Sequence, residues 1–192
     1  MDGETRILAV SGSISKRSYN SMLIDAAKKL APGGVIIEKF SIEGLPVFSR
    51  DLEDNPPERV REFKAKITAA HAIIIATPEY DNTIPAVLKN ALEWISRPYG
   101  NNAMDRKAVG ILSASTELGG GVVAQYHLRH ILAYLNAFVL NKPVVLVPFA
   151  NEKFDQNGDL QDNETKVRIK ALIENLLKLA KLVDYGVKAE II

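Results

Sequence analysis

The chain has 192 residues, 47% of them hydrophobic, which is enough apolar surface for a full-sized core, so one globular domain spanning 1–192 is expected. Its 24 basic and 23 acidic side chains leave a formal charge of +1, which argues against nucleic acid or a membrane surface as the partner and for a small molecule. The absence of cysteine excludes disulfides, thiolate catalysis and cysteine metal sites; no apolar stretch reaches the length of a membrane span, the opening MDGETRILAV is neither a signal peptide nor an anchor, and a cytoplasmic location is expected.

Taken in chain order, the first apolar run is Arg6 to Val10, a predicted strand that runs into SGSISKRSYN. A helix is predicted from Ser18 to Leu30, with Met22, Leu23, Ala26, Ala27 and Leu30 at helical spacing behind a serine cap. A second strand, Val35 to Phe40, leads into the irregular LPVFSRDLEDNPPE, which reads as a surface loop; the prolines of NPPERVREFKAKITAA suit the first turn of the next helix. Strands at Ala72 to Thr77, Ala108 to Ser113 and Val144 to Val147 then alternate with helices at Ile84 to Ile95 and Val122 to Leu135. The last helix, Asn163 to Leu182, is expected to bury Val167, Leu172, Ile173, Leu176, Leu179 and Leu182. This alternation predicts an α/β fold with a doubly wound, five-stranded parallel sheet and helices on both faces.

Open parallel sheets bind ligands beyond the carboxyl ends of their strands, where the strand order reverses. The loop after the first strand lacks both the G-x-G-x-x-G of a dinucleotide site and the G-x-x-x-x-G-K-[ST] of a P-loop. It offers a helix N-terminus, the hydroxyls of Ser11, Ser13, Ser15 and Ser18, and the cations Lys16 and Arg17, a set that suits a terminal phosphate. On this loop alone a second reading stands beside it, in which Ser18 is an N-cap and the other serines shape a turn. After the third strand, TPEYDNTIPAVLKNALEW brings Pro78, Glu79 and Tyr80, a rigid segment with an aromatic side chain suited to a flat heterocycle. After the fourth, Ser113, Ser115 and the glycines Gly119 to Gly121 offer hydroxyls and a place where backbone can approach a ligand. His127 and His130 stand three apart on one helix with no third ligand in view, so no metal is expected.

The segments GSISKRSYN, PEYDNTIPAVLKNALEWISRP and GGGVVAQYHLRHILAYLNAFVLNKP together resemble the NAD(P)H-dependent FMN reductases of flavodoxin-like fold, which include bacterial quinone, chromate and azo reductases. The resemblance spans nearly the whole chain and rests on the patterns G-S-x-R-x-x-S-x-N and P-E-Y-[ND]-x-[ST]-I-P. It implies an FMN phosphate loop on Ser13, Ser18 and Asn20, with the first loop's backbone around them, a flavin-ring loop on Pro78, Glu79, Tyr80, Asp81 and Thr83, and a further contact at Ser115; the reading of the first loop itself adds Ser11, Ser15 and Arg17 to the cofactor site. The family's arginine is Ser15 here, leaving Lys16 and Arg17 as the neighbouring cations. The implied chemistry belongs to the cofactor: hydride from NADPH or NADH to FMN, then two electrons to a quinone or similar small acceptor, with no catalytic acid from the protein. Glu79 reads as an acceptor of backbone N–H bonds in a strand-end turn. An FMN-binding electron carrier or redox-sensing interaction protein is the alternative, against which the balanced charge weighs. The resemblance also implies a homodimer or homotetramer, for which Trp94, Tyr126 and Tyr134 are candidate interface residues; Trp94, on the apolar stripe of its helix with Leu88, Ala91 and Leu92, suits core packing equally.

Overall fold

The computed structural model describes residues 4–192. Strands β1 (Thr5–Ser11), β3 (Ala72–Thr77) and β4 (Ala108–Ala114) form its centre, and every residue of β3 and β4 is buried. Strands covered on both faces read as continuous apolar runs, which is why AIIIAT was legible as a strand. Strand β2 (Val35–Phe40) lies at one edge and carries Glu38 and Lys39. All pairings are parallel, in the order β2-β1-β3-β4-β5, so the order reverses at β1.

The fifth position differs from expectation. It is shared by two short segments, β5 (Phe138–Val139) beside Ala108 and Val109, and β6 (Val145–Val147) beside Leu112 to Ala114. The chain between them contains Pro143, which has no N–H to give to a ladder. The predicted strand at Val144 to Val147 is therefore only the second half of this edge.

Alternation of side chains across β1 divides the core. Ile7 and Ala9 pack with helices α1 (Tyr19–Leu30) and α6 (Asn163–Lys188), while Leu8 and Val10 pack with α2 (Glu58–Ala69), α3 (Ala86–Ile95) and α4 (Val122–Tyr134). A short α5 (Ala150–Lys153), unforeseen because it is a single turn, follows β6. Helix α6 continues six residues beyond Leu182, and its buried stripe is Ile169, Leu172, Ile173, Leu176, Ala180 and Val183; Val167 and Leu182 fall off that stripe and are 66% and 68% exposed. Asp162 caps this helix through the Thr165 amide at 2.8 Å, and its bonds to Thr165 hold its carboxyl below the ordinary value.

Trp94 is a core residue and not an interface one. It is 1% exposed, its indole donates to Pro46 O at 2.7 Å, and it meets Phe48 edge to face at 5.0 Å. With Asn90, which bonds both Pro46 O and the Phe48 amide, it pins the long loop after β2 onto α3. Tyr126 and Tyr134, by contrast, are 69% and 81% exposed on α4.

Candidate functional site

The loops after β1, β3 and β4 meet in a cleft of about 280 Å³ lined by Ser13, Ser15, Arg17, Ser18, Tyr19, Asn20, Pro78, Glu79, Tyr80 and the segment Ala114 to Glu117. A larger concavity of about 390 Å³ lies along α2, but its charged groups are already paired, Arg6 with Glu4, Lys66 with Glu38 and Glu62 with Arg59. The cleft at the strand ends, beside the reversal of strand order, is where this topology binds ligands.

The single glycine of the first loop is explained by protein and not by ligand. The Gly12 amide donates to Ala76 O at 2.7 Å, and a Cβ there would lie 2.9 Å from Leu88 Cδ2 and 3.2 Å from Thr77 Oγ1. The serines divide by task. Ser11 Oγ donates to Ser13 O at 3.1 Å and accepts from the Ser13 amide at 3.2 Å, Ser13 Oγ accepts from the Ser15 amide at 3.2 Å, and Ser18 Oγ caps α1 through the Ser21 amide at 3.3 Å. The turn-and-cap contacts are thus made by Ser11, Ser13 and Ser18, but Ser13 and Ser18 only accept in them and each keep an O–H to donate into the cleft that they line. Ser15 Oγ, the Arg17 guanidinium and the amides of Tyr19 and Asn20 make no hydrogen bond among the described residues, and all four residues line the cleft. Two free amides at a helix N-terminus, the hydroxyls of Ser13, Ser15 and Ser18 and a guanidinium form a donor set that fits a phosphate monoester.

Asn20 has a different place. Its side chain is buried and doubly bonded to the backbone of Ala114, Nδ2 to the carbonyl at 3.0 Å and Oδ1 from the amide at 2.9 Å. It acts as a short strand partner that ties α1 to the end of β4.

The second loop is a tight hairpin. Tyr80 and Thr83 exchange backbone hydrogen bonds of 3.0 and 2.9 Å around Asp81 and Asn82, whose φ angles of 48° and 57° are those of a type I′ turn. Asp and Asn tolerate that left-handed conformation, so the spelling Asp-Asn is the local cause of the turn. Tyr80 is half exposed on the cleft wall; Asp81 and Thr83 lie outside the lining, and Thr83 Oγ1 shares a 2.9 Å hydrogen bond with His127 Nδ1. Glu79 Oε2 accepts from the Ala124 amide of α4 at 2.9 Å, the role expected of it. His127 is thus tied to a hydroxyl, and the described residues contain no cluster of metal-ligating side chains.

In the third loop Ser115 Oγ accepts from the Glu117 amide at 3.1 Å, and the Ser115 backbone bonds Val147 O and the Ala150 amide at 3.0 Å each. The glycines were expected to admit a ligand, but two of them admit the chain itself: a Cβ at Gly120 would lie 3.0 Å from Pro148 N, and one at Gly121 would lie 2.7 Å from Ser113 Cβ. Beneath them Ser113 Oγ donates to Gly120 O at 2.6 Å, and Gln125 Nε2 donates to Ser113 Oγ and Val145 O at 2.9 Å each.

With this geometry in place, the comparison with known proteins is decisive: the model for NADPH-dependent FMN reductases matches residues 5–152, which contain all three loops of the cleft. The chain belongs to the NADPH-dependent FMN reductase family. It is 38% identical over 177 residues to an NAD(P)H-dependent FMN reductase of Pseudomonas aeruginosa, covering 92% of this chain and 95% of that one. It is 35% identical over 169 residues to a 2-hydroxy-1,4-benzoquinone reductase of a Burkholderia species, covering 88% and 92%. Among solved structures it superimposes on FerB, a flavoenzyme NAD(P)H:(acceptor) oxidoreductase of Paracoccus denitrificans, with a TM-score of 0.85 at 26% identity over 92% of this chain and 97% of that one. In this FMN reductase family member the cleft also includes Tyr19, Thr116 and Glu117, which the motifs do not mark, although Tyr19 and Thr116 adjoin named residues and Glu117 lies two positions beyond Ser115.

Proposed function

We propose that the chain is an FMN-dependent NAD(P)H oxidoreductase that passes two electrons to quinones or similar small acceptors, chromate and azo compounds among them. The observation that carries this is the cleft beside the strand reversal, in which Ser15, Arg17 and the α1 amides stand uncommitted across from the Tyr80 hairpin. Bound FMN supplies the chemistry, accepting hydride from a stacked nicotinamide and returning two electrons to the acceptor. The chain's part is to hold and orient. Arg17, the hydroxyls of Ser13, Ser15 and Ser18 and the first turn of α1 would receive the phosphate; Pro78, Glu79 and Tyr80, held by the hairpin turn at Asp81 and Thr83, and the loop at Ser115 would flank the ring; Ser11 and Asn20 keep the phosphate loop in shape. Nicotinamide and acceptor would enter the same cleft in turn, which predicts ping-pong kinetics. Anaerobic stopped-flow mixing of the FMN-loaded protein with NADPH and with NADH should bleach the flavin, and a quinone should restore it. Absence of bleaching with both nicotinamides would favour the electron carrier or redox sensor instead.

The whole chain, 1–192, serves as one FMN-binding domain in this reading, and a reducing cytoplasm suits a protein without cysteine. No helix among the described residues is long and apolar enough to cross a membrane. The exposed Tyr126 and Tyr134 give α4 an apolar face suited to a symmetric contact in a homodimer or homotetramer. Light scattering at micromolar concentration should return at least twice the chain mass, and a monomer would remove this part of the reading.

A further inference from the structure

Helix α4 begins at Gly121, which has no side chain with which to cap it. Its Val122 and Gln125 amides find acceptors in the turn before it, Gly119 O and Gly121 O, but the Ala124 amide finds its acceptor in another loop, at Glu79 Oε2. One turn further along, His127 Nδ1 holds Thr83 Oγ1. Residues 124 and 127 share a helix face, and Glu79 and Thr83 bracket the two left-handed residues of the hairpin, so α4 grips that hairpin at both ends. The grip has a rigid base, because Gln125, itself 2% exposed, bonds Ser113 and Val145 of β4 and β6.

We infer that Glu79 and His127 are positioning residues for the redox reaction: through the Ala124 amide and Thr83 they set the angle at which the hairpin presents Tyr80 to the cleft. The carboxylate is suited to this place because the N-terminal amides of a helix carry partial positive charge. Its work is to accept one N–H bond, so what matters is an acceptor oxygen at that point and not a transferable proton. A glutamine, whose Oε1 accepts equally well, should therefore replace it largely, and an alanine should not.

The inference rests on the flavin-reductase reading, and its test separates the two. Hydrogen exchange of the Ala124 amide, followed on the protein as purified, should speed up at least tenfold in Glu79→Ala and stay within about threefold of the native rate in Glu79→Gln. Small errors of orientation are costly in rate. Flavin bleaching by NADPH should accordingly slow by about tenfold in Glu79→Ala, with FMN bound a few-fold more weakly, and Glu79→Gln should recover most of both losses without moving the pH profile of bleaching. His127→Ala should give a smaller loss, about threefold, and add little once Glu79 is alanine. Unchanged Ala124 exchange in Glu79→Ala would overturn the inference, as would a Glu79→Gln variant as slow as Glu79→Ala with a displaced pH profile, which would make Glu79 a proton-transfer group. If the native protein is not bleached by either nicotinamide, the functional reading fails, while amide exchange and FMN affinity still decide the grip.

Discussion

Arg17→Ala should weaken FMN binding by about 1 to 3 kcal/mol, roughly 5- to 150-fold, and leave riboflavin binding little changed. Ser11 gives its hydroxyl proton to Ser13 O, whereas Ser13 and Ser18 only accept amide bonds and each keep an O–H to donate, so the donors left over are the hydroxyls of Ser13, Ser15 and Ser18, the amides of Tyr19 and Asn20, and the cations that follow Ser15. A phosphate monoester carries close to two charges near neutrality, and a guanidinium binds it with paired, charge-assisted hydrogen bonds that a hydroxyl cannot match. Arg17 lines the cleft, is exposed, and is engaged in no ion pair among the described residues, whereas Lys16 lies outside the lining. Lys16→Ala should therefore cost less than Arg17→Ala. Restoring the family's arginine, Ser15→Arg in the Arg17→Ala background, should recover much of the affinity, because it returns a guanidinium to the same loop. Fluorescence titrations with FMN and riboflavin would read all of these. Equal FMN affinity in the native protein and in both alanine variants would leave the hydroxyls and helix amides as the whole phosphate site.

The fold was legible where burial is uniform. β3 and β4 are covered on both faces, so their apolar runs stand out whatever the surrounding sequence. Strand β5 was not legible because two residues carry no periodicity, and its place in the sheet depends on β4 and not on its own sequence. On α6 the middle of the stripe, Leu172, Ile173 and Leu176, was legible but its ends were not: the helix continues to Lys188 and buries Ile169, Ala180 and Val183, leaving Val167 and Leu182 toward solvent and Leu179 half-buried. The site shows the same division. Which loops form the cleft follows from topology, and the motif residues mark them. What each polar side chain does there does not, since Asn20 finds its partner at Ala114, 94 positions away, and Glu79 finds its own on α4. Trp94 was open to either core or interface because an apolar stripe shows that a face is covered without saying by what; the loop at Pro46 covers it.

Gly121→Ala should destabilise the protein by about 2 to 5 kcal/mol, while Gly119→Ala, two residues earlier, should stay within about 0.5 kcal/mol of the native protein. Gly121 has φ +87°, in the left-handed region that costs a residue with a Cβ about 1 to 2 kcal/mol. The added methyl would also lie 2.7 Å from Ser113 Cβ and 2.9 Å from Ser113 Oγ, closer than carbon and oxygen tolerate, and Ser113 is fully buried within β4 and cannot step aside. Overpacking of that kind adds about 1 to 3 kcal/mol. At Gly119 neither term applies: its φ is outside the left-handed region and the nearest atom to a new Cβ is Val122 Cγ1 at 3.8 Å. Urea unfolding of the two variants would measure the difference, and a Gly121→Ala protein as stable as Gly119→Ala would show that the turn relaxes freely. The strain should also reach the cleft. Relief requires the start of α4 to move away from Ser113, and Ala124, three residues on, is where Glu79 is held. Gly121→Ala should therefore weaken FMN binding as well as folding, although Gly121 lies outside the cleft lining. A variant destabilised as expected but with native FMN affinity would mean that the hairpin keeps its position without help from α4.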